Sequence, residues 1–382
     1  MKKLTAIILL ISICTLILAS CKTEESPENN FVNNRFIFQL DNYLLKRYDL
    51  VSRKVSVVCP DPLCEHGEEC IANKVSSVTI TDKFVFFHRG FVAVDDASGY
   101  YVYDIEKNTI EAMERGSNHI YLIKNYAYFS DKDPVYDDTG ELIERVSNLY
   151  RYDTKTKKTE KISSEPIAGI AMVVKYTDSE IYWNMFTNMG GEFYITDYNF
   201  ENKREWSYEE YIEYCEQKNT VGGYTLENDW IHPEGTIGSG MKIELIDRKG
   251  NKELIAEYSA GLRWDNIENR TGFIYQTGSY IPNEKEELEF KSGDKLVYIS
   301  LIDRSRIFEI DLPEHTDVKV TGFQGCRHYV SEYTSLEAYV TNYGENGEKY
   351  IQCGIFVLNT ITGENFFIWD ESKKYNDKWE EI

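Results

Sequence analysis

The densest chemistry in the chain lies in the run Cys59-Pro60-Asp61-Pro62-Leu63-Cys64-Glu65-His66-Gly67-Glu68-Glu69-Cys70. Three thiols and one imidazole fall there in a Cys-x4-Cys-x-His-x3-Cys pattern. Thiolate and imidazole are the donors that tetrahedral zinc takes, and a closed zinc site needs four of them. Cys59, Cys64, His66 and Cys70 are therefore a candidate zinc set. The same residues suit a disulfide between two of the cysteines, as oxidising compartments favour, or a free, redox-active set of thiols. Spacing alone leaves these three open, because a single residue between Cys64 and His66 is tight and the pattern is not that of a standard finger. In each case Pro60, Pro62 and Gly67 can fold the loop back, and the cysteines staple a segment that has no core. Cys215, Cys326 and Cys353 are expected to be buried thiols rather than ligands.

Carboxylates gather in three other places. Asp131, Asp133, Asp137, Asp138 and Glu141 crowd one segment, Asp95 and Asp96 a second, and Glu284, Glu286, Glu287 and Glu289 a third. Oxygen donors are what Ca²⁺ takes, but the spacing departs from an EF-hand loop, with Val135 where a ligand is required. Solvated acidic loops are the expectation. Tyr136, Tyr280, Tyr343 and Trp230 carry rings able to stack on a sugar or a peptide. Together with Asp131, Asp133, Asp137 and Asp138 they mark the loops expected to face a ligand. The chain holds no Gly-x-Ser-x-Gly elbow, no His-Glu-x-x-His and no phosphate loop. Its 6 histidines leave little general-base capacity.

What positions these groups is a repeat. An alternating strand, an Asp-like turn and a second alternating strand recur in LLKRYDLVSRKVSVV, YYVYDIEKNTIEAM, LYRYDTKTKKTEKI, EFYITDYNFENKREW, KIELIDRKGNKELIAEY, LVYISLIDRSRIFEI and GIFVLNTITGENFFIW. Their turn residues are Asp49, Asp104, Asp153, Asp197, Asp247, Asp303 and Asn359, spaced 44–56 residues apart. Short Asp and Asn side chains favour such turns by bonding to nearby backbone N–H groups. A second strand pair precedes most of these hairpins, as in SVTITDKFVFFHR and HIYLIKNYAYFSD. Four antiparallel strands at this period predict an all-β fold, a β-propeller of seven four-stranded blades. The first repeat lacks one strand, and the C-terminal segment from Lys374 to Ile382 is expected to supply it and close the ring. With strands A to D running outward from the channel, B–C loops and D–A crossovers share one face. The long segments 88–99, 130–147 and 276–294, and the crossovers 59–75 and 207–235, all fall there. Function concentrates on loops held by a rigid scaffold, so the working surface is expected on that face. One helix is expected, opened by the capping box Ser207-Tyr208-Glu209-Glu210, with Tyr208, Tyr211, Ile212 and Cys215 on one side.

The N-terminus gives an address. Lys2 and Lys3 precede an apolar run from Leu4 to Leu18, the length of a signal-peptide core and too short for a comfortable membrane span. The run ends in Leu18-Ala19-Ser20-Cys21, which resembles the lipobox of bacterial lipoproteins. That resemblance implies a signal peptide over 1–20, a lipid on Cys21, a polar tether over 21–34 and a single propeller domain over 35–382. The expected location is extracytoplasmic, anchored to the outer face of the cell membrane. Removing Lys2 and Lys3 leaves 40 Lys+Arg against 64 Asp+Glu, a net charge of 40 − 64 = −24. Such a surface repels polyphosphates, which excludes a nucleic-acid partner.

A lipobox followed by propeller repeats and the element Cys59 to Cys70 resembles uncharacterised lipoproteins of clostridial-type Firmicutes, whose repeats are similar to those of TolB-like and quinoprotein-like propellers. The resemblance implies a fold and a membrane-lipid anchor and carries no activity to any residue. The first functional expectation is a binding or scaffolding module for a protein, peptide or glycan. The alternative is a propeller enzyme of the lyase or glycosidase class. The third is a sensor or regulator with a membrane partner.

Overall fold

The computed structural model describes residues 35–90, 99–187, 190–265, 270–320, 326–327, 332–344, 347–376 and 378. Cys21, the signal segment and the tether lie outside them, as do Asp95 and Asp96. Among the described residues no helix is long and apolar enough to cross a membrane.

Strands dominate, and they pair in antiparallel sheets of four. The first sheet joins Phe36–Asp41, Leu44–Asp49 and Lys54–Val57 to Cys326–Arg327. Val75–Ile80, Phe84–Arg89, Gly99–Asp104 and Thr109–Met113 make the second. The third is Tyr121–Ile123, Tyr126–Tyr136, Leu142–Asp153 and Lys158–Lys161; the fourth is Ile170–Tyr176, Ile181–Thr187, Gly190–Thr196 and Arg204–Glu205. The next two sheets share one strand, Lys252–Trp264. Before Ser259 it pairs with Gly240–Asp247 as the outer strand of blade 5, and from Ser259 it pairs with Gly272–Pro282 as the inner strand of blade 6. Thr220–Val221 and Tyr224–Ile231 complete blade 5, while Leu288–Ser300 and Ile307–Asp311 complete blade 6. Thr316–Lys319, Tyr333–Tyr343, Lys349–Asn359 and Asn365–Tyr375 form blade 7. The fold is a β-propeller.

Turn chemistry explains why the repeat folds this way. Asp49, Asp153, Asp197, Asp247 and Asn359 each accept two backbone N–H groups on Oδ1, and Asp104 and Asp303 each accept one. All seven hairpin turns are closed by the residue that marks them in the sequence.

Burial lies between blades. Phe38 and Leu45 of blade 1 meet Val85 and Phe87 of blade 2. Phe86 meets Phe129 and Tyr150 at the next junction, and Tyr128 and Leu149 meet Ile181 and Trp183 at the one after. Ile243 and Leu245 pack on Phe273 and Ile299, and Ile274 and Tyr298 on Leu336 and Phe356. Ile37 and Tyr48 close on Ile355 and Val357, so the last blade packs on the first. At the remaining junction, the outer side of blade 4 is covered by the helix Tyr208–Asn219. Phe193, Ile195 and Trp206 pack on Tyr211 and Tyr214 there, and no buried cluster spans blades 4 and 5 among the described residues. The capping box is present in full. Lys175 pins the helix by lying over the rings of Tyr182, Trp206 and Tyr214 at 4.3, 5.2 and 4.7 Å.

Two expectations change. The missing strand of blade 1 comes from Cys326–Arg327, which pairs with Phe38 and Gln39. Lys374 and Tyr375 pair instead with Gln352 and Ile351 of their own blade, while residues 377 and 379–382 of that segment lie outside the described ones. Cys326–Arg327 falls in the sequence between Lys319 and Tyr333 of blade 7, so blade 1 receives this strand from within the last repeat. The segment 207–235 is also more than a crossover, because Thr220–Val221 and Tyr224–Ile231 are strands. Gly222 and Gly223, at φ 59 and 88, supply the left-handed pair that a two-residue hairpin turn requires.

An ion pair is buried where the ring closes. Lys46 of blade 1 donates to Asp370 of blade 7 and, at 3.0 Å, to Asp41. Lys46 and Asp370 are both buried. Burial opposes ionisation of Asp370, but the Lys46 ammonium and Ser372 outweigh it and hold its pKa below the ordinary carboxylate value. Removing one partner of a buried pair strands the other, so Lys46→Ala is expected to destabilise the fold by about 3–5 kcal/mol in urea unfolding. A depressed carboxylate contributes stability above its unfolded pKa of about 4 and loses it as pH falls through the folded value. The urea midpoint should therefore drop on acidification below about pH 4, an effect to which Asp104, Asp153, Asp197, Asp247 and Asp303, also depressed, add in the same direction.

Candidate metal centre

The loop between blades 1 and 2 begins with a turn. Asp61 accepts the Leu63 N–H on Oδ1 at 2.9 Å and the Cys64 N–H on its carbonyl at 3.3 Å. Pro62 sits inside this turn, where its fixed φ fits. His66 then adopts a φ of 57, the left-handed region. That conformation swings its ring back within the single-residue spacing that made Cys64 and His66 look too close. A second turn follows, in which the Cys70 N–H donates to the Gly67 carbonyl at 2.9 Å.

These turns bring one ligand atom from each of Cys59, Cys64, His66 and Cys70 within 4.8 Å of one another. His66 Nδ1 is 3.6 Å from Cys70 Sγ, and the His66 N–H points to Cys64 Sγ at 3.4 Å. Sulfurs on a tetrahedral zinc stand about 3.8 Å apart for bonds of about 2.3 Å, so the cluster has the dimensions of a four-donor cage. Cys59, Cys64 and Cys70 carry free thiols in the structure. Burial pushes the Cys59 thiol up, and burial pushes Cys70 up to about 12. The set could hold a metal ion.

Residues that the sequence pattern did not single out hold the cage. Asn73 donates from Nδ2 to the carbonyls of His66 and Gly67, both at 3.1 Å. Buried Arg89 of blade 2 donates to the Glu68 carbonyl at 2.8 Å. The Leu45 N–H donates to the Ala72 carbonyl, and the Val75 N–H to that of Tyr43. Cys70 and Ala72 lie in the hydrophobic core of the junction between blades 1 and 2. The Cys59–Cys70 loop is thus continuous with the packing of the propeller. A polar residue three positions past the last cysteine was the available signal for Asn73; nothing local marks Arg89.

The other candidate residues do not converge on this cluster. Asp131 and Asp133 lie in the strand Tyr126–Tyr136 and are paired by Arg115, whose Nε is 2.9 Å from Asp131 and whose Nη1 is 2.6 Å from Asp133, with Lys161 a further 3.6 Å from Asp133. Asn148 also donates to Asp133, at 2.7 Å. Asp137 caps the turn at the end of this hairpin by accepting the Thr139 and Glu141 N–H groups, and Asp138 is exposed beside it. The expected loop 130–147 is a hairpin arm: Tyr136 pairs with Leu142, while the flanking strands of the blade stop at Tyr128 and Tyr150. Tyr280 is half-buried. Its hydroxyl donates to the Ile231 and Gly238 carbonyls at 3.2 and 3.3 Å, and its ring packs edge-on against Tyr258 and Phe290. It fastens blade 5 to the arm of blade 6. Trp230 lies on a strand of blade 5, exposed, as Tyr136 and Tyr343 are. Cys215 and Cys353 are half-buried thiols, and Cys326 is on the strand added to blade 1.

No protein-family model matches the chain, and no curated protein matches it. Among solved structures it is similar to TolB from Acinetobacter baumannii, at 13% identity over 78% of this chain and 66% of that one, with a TM-score of 0.31. It is also similar to the β-propeller domain of the Trilobed protease from Pyrococcus furiosus, at 10% identity over 80% and 93% of the two chains and a TM-score of 0.33. A third is the GH74 enzyme of Niastella koreensis, at 8% identity over 89% and 65%, with a TM-score of 0.34. The chain spans about two thirds of the TolB and GH74 chains. At these scores the fold rests on the strand pairing described above.

Asn73→Ala removes both donors to the back of the cage, a loss of about 1–3 kcal/mol by the net worth of two hydrogen bonds. Amide exchange across 59–70 is expected to rise by about tenfold or more, while exchange in blades 3 and 6 stays unchanged.

Proposed function

We propose that the chain is an extracytoplasmic binding or scaffolding module, held at the outer face of the membrane by a lipid on Cys21. Its B–C face is presented to a protein, peptide or glycan. One observation carries this reading. Hairpin arms of blades 3 and 6 rise on that face beyond their flanking strands, and large apolar side chains there and at the end of the blade 7 hairpin are left in solvent. Tyr136 is 58% exposed, Ile143 63% and Tyr343 60%, with Trp230 of blade 5 at 59% on the same face. Single exposed apolar residues such as Val51 and Ile302 occur on the opposite face too; on this face they sit at raised hairpin ends, where a partner would meet them.

The Cys59–Cys70 loop on the same face holds one structural Zn²⁺ in this reading. Three thiolates and an imidazole fill all four positions of a tetrahedral site, which leaves none for a water or a substrate. The ion would fix the loop over the first junction. Residues Cys59, Cys64 and Cys70 supply the sulfurs, His66 supplies Nδ1, and Asn73 and Arg89 fix the backbone behind them.

Protein purified without chelator should carry one zinc per chain, with the three loop thiols protected from alkylation until the metal is stripped. Cys64→Ser should lose the zinc, whereas two oxidised thiols and no metal in wild type would reject the site. On intact cells the wild type should fractionate with membranes and Cys21→Ser should be released. A photo-crosslinker at Tyr136 or Trp230 should capture a partner, while one at Lys155 on the opposite face should not. Capture from Lys155 alone would move the working surface.

A further inference from the structure

The opposite face carries a pocket of about 320 Å³. It lies between the end of the helix (Gln217, Lys218 and Thr220), the Gly222 turn of blade 5, and Arg270 and Ile302 of blade 6. Among the described residues two cations line it and no carboxylate does, in a chain whose formal charge is −22. That is an inversion of the surface around it.

Arg270 is the unusual member. Its guanidinium lies 4.7 Å from the centre of the Trp264 ring, and its Nη1 donates to Asn219 Oδ1 at 3.0 Å. Nε is enclosed without an acceptor, and no carboxylate pairs with the side chain among the described residues. Arg115, Arg151, Arg304 and Arg306, comparably enclosed, each hold an Asp or Glu. Burial pushes the Arg270 guanidinium below its ordinary value. A cation drawn out of water without a counter-charge is costly, and a buried donor without an acceptor adds to that cost.

Capping the helix does not account for it. The Glu216 carbonyl already receives the Thr220 hydroxyl, and the Gln217 carbonyl receives the Thr220 N–H. Arg270 reaches only the side chain of Asn219. Lys218, in the last turn, sets a second positive charge against the negative pole of the helix end. Gly222, at φ 59, fixes the far wall, because a Cβ there would stand 1.9 Å from the Leu301 carbonyl oxygen.

We infer that this pocket is an anion site, which takes a small oxyanion, phosphate or carboxylate, between Arg270 and Lys218. The oxyanion supplies a counter-charge to a guanidinium that no described carboxylate pairs, and the outer N–H groups of the planar arginine fork match both groups. Gln217 and Thr220 are the neutral hydrogen-bonding groups beside it. The site lies on the face away from the hairpin arms, so it is independent of the partner surface proposed above.

Titration calorimetry on the full chain in detergent, at fixed ionic strength, tests this with inorganic phosphate and with acetate. One saturable site is expected, weakened by about tenfold or more in Arg270→Gln and by about threefold in Lys218→Gln. Arg270→Lys, which keeps the charge and loses the fork, should fall between wild type and Arg270→Gln. Lys218 is exposed, so its variant keeps the test valid if Arg270→Gln fails to fold. Phosphate much tighter than acetate assigns a phosphoryl ligand, and comparable binding assigns a carboxylate. No saturable binding by the wild type up to about 10 mM, or equal binding by wild type and both Gln variants, would overturn the inference.

Discussion

A four-stranded sheet of this size leaves both faces open to water, and here each face finds cover only on the next blade. The junctions are where the apolar side chains go: Phe38 against Phe87, Phe86 against Phe129, Tyr128 against Trp183, Tyr298 against Phe356. Each large buried side chain contributes on the order of 2 kcal/mol, and none of it is available to a blade alone. The junction between blades 7 and 1 therefore governs the rest. It joins Ile37 and Tyr48 to Ile355 and Val357, and it encloses the Lys46–Asp370 pair. Such a pair adds little net stability over apolar packing, but it tolerates no misplacement, because each charge is stranded without the other.

The abundance of tyrosine follows from the same geometry. A ring fills a junction while its hydroxyl reaches the polar turn chemistry at the blade end. The Tyr103 hydroxyl receives Arg47 from blade 1 and donates to Asn108, Tyr128 donates to the Tyr198 carbonyl, and Tyr298 donates to Asp265. Phenylalanine would fill the same space and remove one donor from each of those partners. Carboxylates are absorbed in a similar way. Asp131 and Asp133 looked free in the sequence, but Arg115 arrives from the preceding crossover to hold both.

One junction departs from the pattern. Between blades 4 and 5 the helix Tyr208–Asn219 stands where a blade face packs elsewhere, held by aromatic contacts and by Lys175. A helix presents a narrower apolar stripe than a sheet face, and its end is where the positively lined pocket opens. The Cys59–Cys70 loop shows the opposite relation. Cys70 and Ala72 are core residues of the first junction, so the order of the loop and the packing of blades 1 and 2 are a single matter.

The sequence by itself determined the repeat, and through it the class of fold. Asp49, Asp104, Asp153, Asp197, Asp247, Asp303 and Asn359 act on backbone groups two to four residues away, so their role is complete within the turn. The capping box at Ser207 was legible for the same reason, and so were the identities of the four donors in the Cys59–Cys70 loop. The Gly222-Gly223 pair is a local turn signal of the same kind, inside a segment whose length resembles a crossover. Only the tertiary structure decided which strand completes blade 1, that Tyr280 is a fastener and not a platform, and that Asp131 and Asp133 belong to Arg115. It also decided that the donors converge and that Arg270 stands without a carboxylate. Those outcomes depend on which distant segments meet across a junction, and pattern along a chain carries no record of distance across it.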